Sequence, residues 1–338
     1  MGRILVTGSA GFIGFHLARH LLEAGHTVGG FDSLNPYYDV TLKQRRHEIL
    51  EGFDGFTPEI ARLEEEGRFA AFAARFAPDV IVHLAAQAGV RYSIEQPRAY
   101  LEANVTGSFN VLEAARAEGV RHLLMASTSS VYGANTDMPY RETEKADTQM
   151  SFYAATKKAT ESMGHAWAHI HGVPITMFRF FTVYGPWGRP DMALFKFTRA
   201  ILRDAPIDVY NRGEMYRDFT YIDDLVRGIA LLIEAVPPRP GPDRPAQIPG
   251  DSLSPVAPWR VVNIGNSTKV KLTDFIDAIE AATGRSAVRN LMPMQPGDVP
   301  ATWADAELLR ALTGYAPQTD LADGVAAFVD WYREYYGV

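Results

Sequence analysis

The sequence predicts an α/β protein: a doubly wound parallel Rossmann sheet with a smaller mixed α/β C-terminal substrate lobe. Three observations carry this. Short β-rich runs alternate with amphipathic stretches through the first half, the pattern of a parallel sheet covered on both faces. A glycine-rich turn, Thr7-Gly8-Ser9-Ala10-Gly11-Phe12-Ile13-Gly14, joins the first run to the first amphipathic stretch. After about residue 183 short apolar runs sit between turns, which marks a second region.

In chain order, Ile4–Val6 reads as a buried strand, Phe12–Ala24 as a helix and His26–Phe31 as a second strand. Asp79–Leu84 is another β-rich run, following a helical stretch. Val105–Glu118 is helical, Arg121–Ala126 strand-like, Phe152–His171 a long helix and Ile175–Phe181 a strand. Further on, Leu225–Ala235 and Leu272–Thr283 look helical. Pro237–Pro258 holds eight of the 21 prolines and reads as an irregular exposed loop, because proline continues neither a ladder nor a helix interior. The chain divides into residues 1–182, a dinucleotide-binding domain, and 183–338, a substrate lobe, with chain crossings between them.

Composition narrows the function. The 338 residues are 47% hydrophobic and 22% charged, as in an ordinary globular protein. A net charge of −7 lacks the excess of Lys and Arg that a nucleic-acid partner needs. Without cysteine there is no disulfide, thiolate nucleophile or Cys-ligated metal, and the nine histidines show no metal-ligand spacing. No metal is expected. No apolar run approaches the roughly 18 residues of a membrane span, and the N-terminus does not read as a targeting segment. The expectation is a cytoplasmic protein with no membrane partner.

The glycine spacing fits a dinucleotide. One glycine permits the tight turn, one lets backbone approach a pyrophosphate, and the last lets helix pack on strand. The helix start then offers unpaired N–H groups to phosphate. Asp32, 18 residues beyond Gly14, stands where an acid accepts the adenosine ribose hydroxyls and repels a 2′-phosphate, which favours NAD over NADP. Its structural alternative is a turn aspartate before Ser33.

Tyr153 and Lys157 lie four apart, on one face of a helix. A cation beside a phenol favours phenolate, the form a general base requires. Two exposed residues on a solvated face are the plain alternative. A hydroxyl cluster, Ser127-Thr128-Ser129-Ser130, follows the strand ending at Ala126, and ligands of α/β sheets gather at the carboxyl ends of strands.

Glycine turn, hydroxyl cluster and Tyr-x-x-x-Lys, in this order, resemble the extended short-chain dehydrogenase/reductase family. The resemblance implies Tyr153, Lys157 and Thr128 as catalytic residues. It implies Gly8, Gly11, Phe12, Ile13, Gly14, Asp32, Ser33, Asn35, Lys43, Leu84, Ala85, Ala86, Asn104 and Phe181, besides Tyr153 and Lys157, as residues that hold NAD. Within the family the chain is most similar to bacterial UDP-glucuronate 4-epimerases, through Phe31–Asp39, Ala86–Ser93, Arg179–Met192, Arg217–Phe219 and Gln295–Pro300. That implies interconversion of UDP-glucuronate and UDP-galacturonate through a 4-keto sugar, with NAD regenerated each turnover. It also implies a homodimer built on the helices containing Asn104 and Tyr153.

The 4-keto sugar is a β-keto acid that can lose CO₂, so its carboxylate needs a clamp. Arg189, with Thr182, Ser129 and Ser130, is the expected clamp, assisted by Arg91. Arg217 is expected on the pyrophosphate, Asp298 on the uridine ribose, and Gln295 among the substrate-binding residues. Two departures stand out. Ser129 and Ser130 replace the acid that related dehydratases and decarboxylases carry after the catalytic Thr. Arg62-Leu63 replaces the Asp-Leu pair that meets the adenine, within Thr57–Glu66, which reads poorly as a strand. A 4-epimerase of a neutral UDP-sugar and a non-catalytic NAD-binding sensor are the alternatives.

Overall fold

A computed structural model describes residues 1–294 and 299–338. Its central sheet has seven parallel strands: β1 (Arg3–Thr7), β2 (Thr27–Asp32), β3 (Phe56–Ile60), β4 (Val80–His83), β5 (His122–Ala126), β6 (Ile175–Phe180) and Trp259–Ile264. Their spatial order is Trp259–Ile264, β6, β5, β4, β1, β2, β3. Residues alternate between two cores. Ile4, Val6, Val80 and Val82 face one with Phe15, Leu21, Ile229 and Leu232 of the helices α1 (Phe12–Glu23) and Ile222–Glu234. Leu5 and Ile81 face the other with Phe72, Val111, Leu112 and Ala168, from the helices Arg68–Phe76, Gly107–Ala117 and Phe152–His171. This is the double cover that buried parallel strands require.

The strand order reverses between β1 and β4, and a ligand crevice opens at such a switch point outside the carboxyl ends of the strands. Residues beyond 183 do not form one separate layer. Ile222–Glu234 packs on α1, and Trp259–Ile264 pairs with β6 from Trp259↔Ile175 to Ile264↔Phe180. A third core lies apart, where Phe195, Phe275 and Phe328 join the helices Ala193–Leu202, Leu272–Thr283 and Leu321–Tyr336.

Two expectations need correction. The region read poorly as a strand contains one: β3 pairs with β2 along Val28↔Phe56 to Asp32↔Ile60. Its edge position leaves only Phe56 buried, so the apolar run that betrays an inner strand is missing. The helix predicted from Val105 begins as a π-helical turn, Leu101–Thr106, before Gly107–Ala117. The proline-rich stretch has neither helix nor strand, yet it is anchored. Asp251 and Arg260 form a buried ion pair, and Ser254 Oγ lies 2.8 Å from His165 Nε2. It covers the outer edge strand and the long helix, away from the crevice.

Candidate active site

A cavity of about 890 Å³ runs along the carboxyl ends of the strands. At one end stands the glycine turn. Gly8 adopts φ +73°, and its N–H donates to Phe31 O at 2.7 Å. A Cβ on Gly14 would lie 2.0 Å from Gly8 O, so that position admits no side chain. Gly11 precedes α1 and no side chain caps the helix. The N–H groups of Phe12, Ile13 and Gly14 therefore lack helical acceptors at a wall of the cavity, an arrangement suited to a pyrophosphate. Asp32 accepts from Ala10 N at 3.0 Å and Leu34 N at 2.8 Å, so it holds the turn in shape as well as facing the cavity. Thr7 Oγ1 accepts from Leu84 N and Ala85 N, both at 3.1 Å, and lies 2.7 Å from His83 Nδ1. His83 in turn reaches Ser108 Oγ at 2.9 Å. This buried chain pins Leu84-Ala85-Ala86 against the glycine turn.

Gly8, Gly11, Phe12, Ile13, Gly14, Asp32, Ser33, Asn35, Lys43, Leu84, Ala85, Ala86 and Phe181 all line the cavity, so the residues present fit a dinucleotide. Lys43 Nζ donates to Asn35 O at 2.7 Å and to Asn35 Oδ1 at 2.6 Å. Asn104 is the exception. Fully buried, it accepts from Gln87 N and donates to Gln87 O and Thr156 Oγ1, which braces the wall from behind. Arg62 also lies outside: its exposed guanidinium pairs with Glu64, while Ala61, Leu63 and Glu64 line the cavity.

The hydroxyl and phenol groups meet near the middle. Ser151 caps the helix Phe152–His171 by accepting from Ala154 N at 3.1 Å, which fixes Tyr153 in the first turn and Lys157 one turn later. Thr128 lies just beyond β5 and hydrogen-bonds Tyr153. Burial raises the Tyr153 pKa, while the Thr128 hydrogen bond and the Arg189 guanidinium oppose that rise. Lys157 is buried one turn beyond Tyr153. Its ammonium donates to Ala126 O at 3.0 Å, at the end of β5, and burial brings its pKa down to about 8.

At the far end Arg91, Ser129, Ser130, Thr182, Arg189 and Arg217 all line the cavity. Arg189 does not present an unpaired guanidinium. Its Nε and Nη2 donate to the two carboxylate oxygens of Asp191 at 3.0 and 2.6 Å. The Arg91 guanidinium stacks 4.9 Å from the Tyr210 ring centre, and Arg217 Nη1 donates to Tyr216 O at 2.8 Å. Gln295 and Asp298 lie outside the described residues.

Among the cavity residues with no role assigned from sequence are Tyr37, Asp191 and Tyr210. Arg46, also without an assigned role, is fully buried behind the wall. Arg46 Nη1 donates to Ala10 O at 3.0 Å and to Tyr38 Oη at 2.9 Å, and Nη2 to Trp187 O at 2.5 Å. It thereby ties the glycine turn to the turn that carries Arg189. An arginine on the apolar side of a helix was the only sequence signal for it.

The model of the NAD dependent epimerase/dehydratase family matches residues 4–243. A probable UDP-glucuronate 4-epimerase of Rhizobium meliloti (strain 1021) is 54% identical over 99% of this chain and 98% of its own. UDP-glucuronate 4-epimerase 1 of Arabidopsis thaliana is 42% identical over 99% of this chain and 77% of its own. The crystal structure of UDP-glucuronic acid 4-epimerase from Bacillus cereus, in complex with UDP-glucuronic acid and NAD, superposes with a TM-score of 0.87. It is 32% identical, with 99% of this chain and 100% of that one covered.

Proposed function

The chain belongs to the NAD-dependent epimerase/dehydratase family, and on that premise we propose that it interconverts UDP-glucuronate and UDP-galacturonate by inverting C4 of the sugar. One observation carries the reading: Thr128 and Tyr153, able to move a proton, share a cavity with Arg189, able to receive a carboxylate. NAD held along the glycine turn supplies the hydride acceptor and donor. Tyr153 Oη takes the proton of the C4 hydroxyl and returns it after the sugar has presented its other face, with Thr128 as the relay. Lys157, fixed on Ala126 O, brings a cation to the floor beneath that exchange. Arg189, Thr182, Ser129 and Ser130 hold the sugar carboxylate, and Arg217 holds the pyrophosphate. Guanidinium suits both anions because it donates parallel pairs of hydrogen bonds.

We further read the protein as a cytoplasmic homodimer. Among the described residues no helix is long and apolar enough to cross a membrane. Leu101, Phe109, Phe152 and Ile170 are exposed on the helical segments that contain or follow Asn104 and Tyr153, and Phe109 packs edge-on against Trp167. Such a patch suits a second copy.

The test is incubation with UDP-glucuronate without added NAD, followed by resolution of the products. UDP-galacturonate is expected. A pentose as the main product would replace epimerisation by decarboxylation. Unchanged substrate would favour a sensor or another sugar.

A further inference from the structure

We propose that Asp191 is a positioning residue that sets the plane of the Arg189 guanidinium, so that the carboxylate of the 4-keto sugar is held without decarboxylation. The inference rests on the activity proposed above and adds a determinant of its fidelity.

The pairing is side-on. Nε and Nη2 of Arg189 face Oδ1 and Oδ2 of Asp191, a bidentate contact with one fixed relative orientation. Tyr37 completes the mount: its hydroxyl donates to Asp191 Oδ2 at 3.3 Å, and its ring centre lies 5.9 Å from the guanidinium carbon. Burial, joined by the Asp191 charge, pushes the Tyr37 pKa up to about 12, so it stays a donor. All three residues line the cavity. Among the described residues, Nη1 of Arg189 has no hydrogen-bond partner. The edge formed by Nη1 and the second Nη2 proton can therefore take a second carboxylate while the first pair stays intact.

Asp191 is a poor device for raw affinity, since its own charge offsets that of Arg189 in a half-buried site. It is a good device for geometry. Loss of CO₂ from a 4-keto hexuronate breaks the C5–C6 bond and sends its electron pair through C5 to the C4 oxygen as an enolate. A proton then returns to C5, leaving a 4-keto pentose, and the step is redox-neutral. It proceeds only when the C5–C6 bond aligns with the carbonyl π-system. A guanidinium locked in one plane by Asp191 and Tyr37 restrains the carboxylate from reaching that alignment, and an arginine free to swivel does not.

The experiment compares wild type with Asp191→Asn on UDP-glucuronate and measures the ratio of pentose products, 4-keto or reduced, to hexuronate products. The affinity for UDP alone is measured by calorimetry. Asn keeps one acceptor but loses the bidentate pair. The pentose-to-hexuronate ratio is expected to rise about tenfold or more, as small misplacements at reacting groups do. UDP affinity should stay within about threefold, because UDP lacks the carboxylate. Tyr37→Phe removes only the hydroxyl behind Asp191 and should move the ratio the same way by less. Should Asp191→Asn not fold, that variant carries the test. An unchanged ratio with slower turnover would overturn the inference and leave Asp191 a structural residue. No hexuronate product from wild type would overturn the proposed epimerase activity, and this inference with it, before any variant is measured.

Discussion

The two ends of the cavity are built differently. The glycine-turn end is centred on one contiguous segment, Thr7 to Gly14, closed by backbone hydrogen bonds and by the Asp32 carboxylate. The Arg189 end gathers residues from distant stretches: Tyr37, Arg91, Thr128, Tyr153, Arg189, Tyr210 and Arg217. A contiguous turn depends on local conformation, so a misplaced methyl can destroy it. A convergent site depends on long-range packing and on polar groups that must all be satisfied away from water. The first should therefore fail abruptly at single glycines, and the second should fail by degrees.

Gly14→Ala is the sharpest test of the local end. Its Cβ would overlap Gly8 O, and backbone cannot yield as a flexible side chain can. Loss of NAD retention after gel filtration, by on the order of a hundredfold or more in affinity, is expected, since the methyl distorts the phosphate-facing turn. Normal retention would show that the turn tolerates opening. Tyr153→Phe should be as severe at the other end but confined to chemistry. Turnover should fall about 10²–10⁴-fold, the usual contribution of a general acid–base group, with NAD still bound. Near-normal epimerisation would remove Tyr153 from the reaction.

Arg46 joins the two ends, and replacing it sharpens the contrast. Arg46→Met keeps most of the aliphatic stem and abolishes the donors to Ala10, Tyr38 and Trp187. Leaving buried carbonyls unpaired costs about 1–3 kcal/mol per group. A fall in Tm is expected, accompanied by weaker NAD retention and a higher KM for UDP-glucuronate, because one side chain braces both turns. A loss confined to one ligand would show that the ends are independent.

Legibility followed the same division. The glycine turn, Asp32 and the Tyr153/Lys157 spacing are short-range patterns, and the sequence displays them. The sheet was readable at β4 and β5, buried on both faces, although the equally buried Trp259–Ile264 was not read as a strand. It was not readable at β3, whose edge position relaxes the apolar pattern. Arg189 was identified through resemblance, but its partner two residues on was not. An arginine and an aspartate at that spacing pair here in a local turn, in which Met192 N donates to Arg189 O at 3.1 Å. Lys157 makes a contact that was missed for a related reason. Helical spacing places it on the Tyr153 face but does not reveal the carbonyl at the end of β5 that captures it.

The smallest effect lies in the support beneath the convergent end, and it has a definite sign with pH. Glu142 is buried and accepts from Asn263 N at 2.7 Å. Asn263 Oδ1 accepts from Tyr132, and Tyr132 lies beneath the Arg179 guanidinium that pairs with buried Glu161. Burial, with the charge of Asp305 adding to it, pushes the Glu142 pKa up from 4.5 to about 7 against two backbone hydrogen bonds. A carboxyl raised by folding stabilises while protonated. That contribution is fully present below about pH 4.5 and is lost as pH rises through 7. Glu142→Gln keeps an acceptor and cannot ionise. It should match wild type near pH 5 and exceed it above pH 8 by on the order of 1–3 kcal/mol, a few degrees in Tm. Thermal melts from pH 5 to 9 measure this. Parallel curves for the two proteins would mean that the buried carboxyl is already compensated, and that the convergent end is as well satisfied as the glycine turn.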